Sequence, residues 1–443
     1  MLKRKVDKYL ADWKANPKHM PLFIRGARQI GKTNSIEQFA EANYKAVIEI
    51  NFALQKKYHD IFDDGFDVDA ILKNITYKNP KFKVIPGNTL IFYDEIQAKQ
   101  NAATAMKSFR LDGRFDVICS GSLMGINYQE IESNAVGNKT DYEMKSLDFE
   151  EFLWAKGYEE AQIEDVFSYL KQQKPLPESV YASLESAFEE FIIVGGMPAI
   201  VQTFVEQNHF GGILEMQKQI LRDYEEDITK YAGGLDKGKI LNAFRKIPVF
   251  LGNENKKFQI SKIEKGKRSR DFVGVIDWLV SSGIVNISYC LEAPSLPLKG
   301  HYNPNNFRLY FMDTGVLIGA LDKEAREDLR TGGNLNTMKG ALYENIVGEM
   351  LVKAGYDLFF YKDEKGQLEM DFFVRRKNHL IPIEVKAKDG ATASLNNLIE
   401  KERYPDVSYG LKLARKNIGN NGKIFTIPYF LTFMLPRFLQ ELE

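Results

Sequence analysis

The sequence predicts a multidomain α/β protein, and three observations carry that expectation. Short apolar strands alternate with helices over about the first 140 residues, a mostly helical stretch follows, and a smaller helix–strand–strand–helix–strand unit ends the chain.

In the first part, residues 1–14 read as an amphipathic helix. Pro21-Leu22-Phe23-Ile24-Arg25 is a short apolar strand that runs into a glycine loop, and residues 32–42 continue as helix. Val47 to Phe52, Thr89 to Tyr93 and Phe115 to Cys119 are further strands, separated by helices at 67–78 and 98–111. Strands alternating with helices imply a parallel sheet covered on both faces. Residues 147–232 are mostly helical, broken at Lys174-Pro175-Leu176-Pro177 and at Gly195-Gly196-Met197-Pro198. Residues 238–320 hold three short helical patterns and then two strands, Ile284 to Leu291 and Phe307 to Asp313, around a Pro/Gly/Asn-rich loop. At about 100–200 residues per domain, a chain of this length makes two to four domains. The expected divisions are 1–145, 146–235, 236–325 and 335–443.

Composition narrows the function. Lys+Arg and Asp+Glu are both 60, which excludes a globally basic nucleic-acid binder but not a local basic face. Two cysteines, Cys119 and Cys290, cannot build a disulfide framework, and no CxxC pair or histidine spacing suggests zinc. The charged N-terminus lacks an apolar signal core, and no uncharged apolar window of about 18 residues occurs, so the expectation is a cytoplasmic chain.

The glycine loop, Gly26-Ala27-Arg28-Gln29-Ile30-Gly31-Lys32-Thr33, fits G-x-x-x-x-G-K-T between a strand and a helix. Its backbone N–H groups, with the first helical turn out to Asn34, suit a phosphate cradle. Lys32 is placed to reach β- and γ-phosphates, and the Thr33 hydroxyl to meet Mg²⁺. Thr89-Leu90-Ile91-Phe92-Tyr93-Asp94-Glu95 is an apolar strand ending in two acids: Asp94 for Mg²⁺, Glu95 for the attacking water. Val117-Ile118-Cys119-Ser120-Gly121-Ser122 ends beside them. Ser120 is the candidate γ-phosphate sensor, with Ser122 as the alternative.

Arg25 to Thr33, then Tyr93-Asp94-Glu95-Ile96-Gln97, then Ser120-Gly121-Ser122, resemble prokaryotic AAA-type P-loop ATPases whose ATPase module precedes a domain called DUF4143. Leu147-Asp148-Phe149-Glu150-Glu151-Phe152-Leu153 and Gly195-Gly196-Met197-Pro198 also resemble that family. Many members carry Gly-Arg before the Leu-x-Phe-x-Glu-Phe segment. Here Gly137 is followed by Asn138 and Lys139, so no arginine finger is assigned.

The order of elements after residue 236 matches a winged helix-turn-helix, which the resemblance also implies. Residues 256–270 hold Lys256, Lys257, Lys262, Lys265, Lys267, Arg268 and Arg270 against Glu264 alone. Such a stripe suits a DNA backbone, with Lys262, Lys265, Lys267, Arg268 and Arg270 as candidate contacts. A solvated face, or a basic rim that meets ATP or a partner subunit, explains it about as well. In the last unit Asp371 lies on one strand, and Glu384 and Lys386, at i and i+2, share one face of the next. Glu344, in the apolar helical stretch 341–347, is placed to complete a metal shell from the helix. Two carboxylates and an ammonium suit Mg²⁺ or Mn²⁺ at a phosphodiester. The set resembles the PD-(D/E)xK nuclease superfamily, particularly its Holliday-junction-resolvase-like branch, with Glu369-Met370 where a proline often stands.

Two functions are therefore expected of the sequence. One is an ATP- and Mg²⁺-dependent DNA-processing or defence protein, acting on branched or free-ended DNA and capable of assembling as a homo-oligomer. The other is a nucleotide-dependent switch whose nuclease-like domain is inactive.

Overall fold

The computed structural model describes residues 2–125, 137–232, 234–253, 256–259, 272, 274–331, 337–363, 368–386, 392–400 and 403–442. The chain divides into two compact units: residues 3–146 with 281–283, and residues 1–2, 147–280 and 284–443.

The first unit is built on β1 (Leu22–Gly26), β2 (Ala46–Asn51), β3 (Thr89–Asp94), β4 (Asp116–Ser122) and β5 (Thr140–Glu143). All are parallel, in the order β2-β3-β4-β1-β5. β3 is buried along its whole length, which is why it reads as a continuous apolar run rather than an alternating one. Helix α1 (Lys5–Ala15) buries Val6, Leu10 and Trp13, spaced on one face. Phe23, Ile48, Ile50, Ile91, Tyr93 and Val117 from the strands pack with Ile71, Ile75, Met106 and Phe109 from helices. β5 escapes the sequence pattern because it is a four-residue polar edge strand with only intermediate or exposed positions. The polar strand ends Asn51, Asp94 and Ser120–Ser122 fall at the carboxyl edge of the sheet, where α/β proteins hold ligands.

The second unit contains two sheets. One has the order β7-β6-β8-β9, from β6 (Val285–Leu291), β7 (Tyr302–Phe311), β8 (Leu358–Lys362) and β9 (Glu369–Met370). The other has the order β10-β11-β12-β14-β13, from β10 (Phe372–Arg376), β11 (His379–Lys386), β12 (Gly410–Ala414), β13 (Gly419–Asn420) and β14 (Ile424–Pro428). β6 and β7 form the antiparallel pair expected of a wing, but the other edge of β6 pairs in parallel with β8. The hairpin is thus part of a sheet that runs into the last part of the chain. No described helix is long and apolar enough to cross a membrane.

The two family-like motifs near 147 and 196 have a physical role here. Asp148 caps the helix Phe149–Ala155 by accepting the Glu151 N–H at 3.0 Å, while Glu151 accepts the Asp148 N–H at 3.0 Å. The Leu147 N–H donates to the Gly196 carbonyl at 2.7 Å. A Cβ on residue 196 would lie 2.0 Å from the Leu147 oxygen, so only glycine allows this approach. The Gly196 N–H donates to Asp313 Oδ2 at 2.8 Å, and Lys353 Nζ donates to the Leu147 carbonyl at 2.8 Å. Lys353 also meets Glu349 Oε1 at 2.5 Å, and the Thr314 N–H and hydroxyl donate to Glu349 Oε2 at 2.6 and 2.7 Å. Glu349 is 1% exposed.

Burial pushes the Glu349 carboxyl up to about 7, with Asp313 adding to the rise and Lys353 opposing it. The folded unit therefore holds a proton there between the ordinary carboxylate range and about pH 7, and its stability falls as pH rises through that window. Urea denaturation from pH 5 to 8 checks this. Glu349→Gln is expected to flatten the decline relative to the unchanged protein, and equal slopes count against the assignment.

Candidate functional sites

The glycine loop takes the shape its sequence implies. Gly31 has φ +88° at the entry to helix α2 (Lys32–Asn43), and Gln29 adopts φ +64°, a left-handed conformation seldom taken by a non-glycine residue. Lys32 is buried and donates to the Gly26 and Ala27 carbonyls at 3.1 and 2.7 Å. Burial lowers its pKa to about 8, against the pull of Glu95 and Asp94. Asn34 lies exposed in the first turn of α2 and accepts from Gln38.

Asp94 is the meeting point of the site. Its Oδ2 accepts from the Thr33 hydroxyl at 3.1 Å and from Asn51 Nδ2 at 2.9 Å, and its Oδ1 accepts from the Ser120 hydroxyl. Ser122 accepts the Met124 N–H at 3.3 Å. Glu95 has φ +54° and accepts from the Gln97 amide. A left-handed non-glycine residue at a strand end costs about 1–3 kcal/mol and re-aims the side chain. The hydroxyl and carboxylate oxygens of Thr33 and Asp94, within hydrogen-bond distance of each other, are the hard donors that Mg²⁺ takes. Sequence reading did not assign Asn51. Its signal was present, as a polar residue closing an apolar strand at the same sheet edge.

The acids of the last unit meet a different environment. In the β10–β11 ladder Phe372 pairs with Ile383, which sets Asp371 opposite Glu384. Asp371 Oδ2 accepts the Val385 N–H at 2.8 Å, and Lys386 Nζ lies 2.8 Å from Glu384 Oε1. Glu384 Oε2 is buried with no hydrogen-bond partner among the described residues. Glu344 was expected to complete a metal shell and does not stand free to do so. It accepts from Arg308 Nη1 at 3.0 Å, from the Tyr310 hydroxyl at 2.5 Å and from Lys256. Burial raises the Glu344 pKa, but Lys256 and Arg308 outweigh it and hold the carboxyl below the usual range. The same Arg308 pairs with Glu369, lies 4.0 Å from Asp371 Oδ1 and stacks 4.0 Å from the Phe360 ring centroid. Asp371 is pushed up by burial and by Glu344. Among the described residues no group of three His, Cys, Asp or Glu side chains is arranged to hold a metal ion.

Arg308 and Lys256 were not singled out for this site, because an arginine in an apolar strand and a lysine in a basic run carry no pattern that names their partners. Lys262, Lys265, Lys267, Arg268 and Arg270 lie outside the described residues.

Comparison with known proteins matches three segments of the chain to family models. Residues 18–153 match the family described as AAA domain, residues 185–327 a domain of unknown function (DUF8612), and residues 339–430 a domain of unknown function (DUF4143). The first unit thus has the domain and the parallel five-stranded fold of an AAA-type P-loop ATPase, and these support ATP binding and hydrolysis. An uncharacterized protein of Methanocaldococcus jannaschii is 26% identical over 207 residues, 46% of this chain and 40% of its own length. The chain thus spans well under half of that relative. Among solved structures, a Walker-type ATPase of Pyrococcus abyssi is 11% identical over 72% of this chain and 96% of its own, with TM-score 0.44. The Thermotoga maritima RuvB Holliday junction branch migration motor is 13% identical over 76% and 96%, with TM-score 0.31.

Removing a buried cation that neutralises several acids strands their charge, at a cost of about 3–5 kcal/mol. Arg308→Met is therefore expected to lower unfolding free energy by about that amount, and Lys256→Met by less, since its side chain is 22% exposed. Denaturant titration checks both; an Arg308→Met loss below about 1 kcal/mol counts against a central role for this charge.

Proposed function

We propose that this chain is a Mg²⁺-dependent ATPase that works as a nucleotide-dependent switch, with a nuclease-like C-terminal fold held closed by internal ion pairs. The convergence of Thr33, Ser120 and Asn51 on Asp94 supports the first half. In this reading the amides from Gly26 to Thr33 bind phosphate oxygens, and Lys32 exchanges its carbonyl partners for the β- and γ-phosphates. Thr33 and Asp94 hold Mg²⁺, which supplies charge neutralisation at the phosphates. Glu95 orients the attacking water and takes its proton, and Ser120 fixes Asp94 while facing the γ-phosphate. The capture of Glu344 by Arg308, Lys256 and Tyr310 supports the second half, because a divalent ion there would lie against two cations, one of them fully buried.

Nucleotide titration and steady-state turnover test the ATPase. Lys32→Ala is expected to lose tight ATP binding. Glu95→Gln should bind ATP but turn over about 10²–10⁴-fold more slowly. Wild-type turnover in Glu95→Gln removes Glu95 from the mechanism.

A specific observation favours a second reading, metal-dependent DNA cleavage with Mg²⁺ or Mn²⁺. Asp371 stands opposite Glu384, whose Oε2 has no described partner, with Lys386 beside it. The basic side chains Lys262, Lys265, Lys267, Arg268 and Arg270 would then hold DNA through phosphates. Linear, branched and single-stranded DNA incubated with Mg²⁺ or Mn²⁺, with and without ATP, separates the readings. Cleavage lost in Asp371→Ala with ATPase intact, and binding weakened in the Lys265, Lys267 and Arg268 triple alanine variant, establish the second. No cleavage of any form leaves the switch.

A further inference from the structure

The phosphate loop is gripped from behind by a residue near the start of the chain. Arg4, which precedes α1, is 6% exposed. Its Nη1 donates to the Ile30 carbonyl at 3.0 Å and its Nη2 to the Lys145 carbonyl at 2.8 Å. Arg4 is itself held: its N–H donates to Asp7 Oδ2 at 2.8 Å, and the Asp7 N–H returns to the Arg4 carbonyl at 3.1 Å. The helix behind it is anchored by Val6, Leu10 and Trp13.

This contact acts on the loop through peptide geometry. A trans peptide is planar, with its C=O and N–H directed to opposite sides. Drawing the Ile30 carbonyl toward Arg4 turns the Gly31 N–H of the same peptide away from Arg4. The Ile30–Gly31 peptide sits in a turn where Gln29 has φ +64° and Gly31 φ +88°, and of the two only the non-glycine Gln29 is strained by it. Successive N–H groups in such a turn form an anion-binding concavity only if the peptides stay in this orientation. The Lys145 contact ties the same guanidinium to the chain just after β5, which pairs directly with the strand leading into the loop.

We propose that Arg4 is a positioning residue for the phosphates of a nucleoside triphosphate: it presets the amides of the glycine loop and touches no phosphate itself. The proposal rests on the ATPase reading of the site. Because its effect is on the preformed cradle, it belongs to binding of the phosphate chain and not to the water-activating step.

The test uses the full chain with Arg4→Ala and Arg4→Lys. Arg4→Ala is expected to raise KM and Kd for ATP about tenfold or more, the loss typical of a charge-assisted hydrogen bond, with kcat changed by less than about twofold. Inorganic tripolyphosphate, which lacks base and ribose, should weaken in the same proportion. Arg4→Lys should fall between the two, because one ammonium cannot serve two carbonyls as the guanidinium fork does. It carries the test if Arg4→Ala does not fold. Unchanged KM and tripolyphosphate affinity in a folded variant overturn the proposal, as does a fall confined to kcat. If those results come from a chain whose wild type hydrolyses ATP and whose Lys32→Ala form does not, the ATPase reading survives them. A wild type that neither binds nor hydrolyses ATP removes that reading and the proposal with it.

Discussion

A charge taken out of water must be met by opposite charge, and the second unit is organised around that constraint. Arg308 is 1% exposed in the buried half of β7, among Phe307, Leu309, Tyr310 and Phe311. Its guanidinium reaches Glu344 on the helix Thr337–Lys353, Glu369 on β9 and the neighbourhood of Asp371 before β10. One side chain thereby fixes how three separate elements approach β7. Several kcal/mol of desolvation per ion are at stake, which is more than any single apolar contact contributes. Lys256 adds a second cation from an extended segment pinned by the Phe258 N–H to the Phe307 carbonyl at 2.9 Å.

The same constraint shapes the other polar centres. Lys32 rests on two loop carbonyls, and Asp94 is satisfied by two side-chain hydroxyls and an amide. Both partner sets are neutral carbonyl, hydroxyl and amide groups. Glu344 differs: two of its three partners are cations, and separating them from the carboxylate would leave charge unbalanced around Arg308. Neutral groups hold the Asp94 carboxylate and cations hold that of Glu344, which is the physical difference between the two sites. Around Leu147, buried Asp313, Glu349 and Lys353 serve a third purpose, holding both backbone groups of a single residue through Gly196 and Lys353.

The parts of this protein that depend on local pattern were legible in the amino-acid order. The strand–glycine loop–helix, the apolar strand running into Asp94-Glu95, and the strand ending at Ser120 follow from periodicity and from residue types with few other uses. So does the parallel sheet, since alternating strands and helices leave little alternative. The i, i+2 placement of Glu384 and Lys386 on one face is equally local. Which distant residues became partners emerged from the folded chain alone. Asn51 joined Asp94, Arg4 reached Ile30, β5 closed the sheet edge, and Arg308 with Lys256 took possession of Glu344. These pairs are separated by tens of residues and lie on different elements. Side-chain pattern records how a segment meets water or core, but not which segment will face it. A buried ion pair is specified by desolvation and geometry together, and both exist only once the chain has folded.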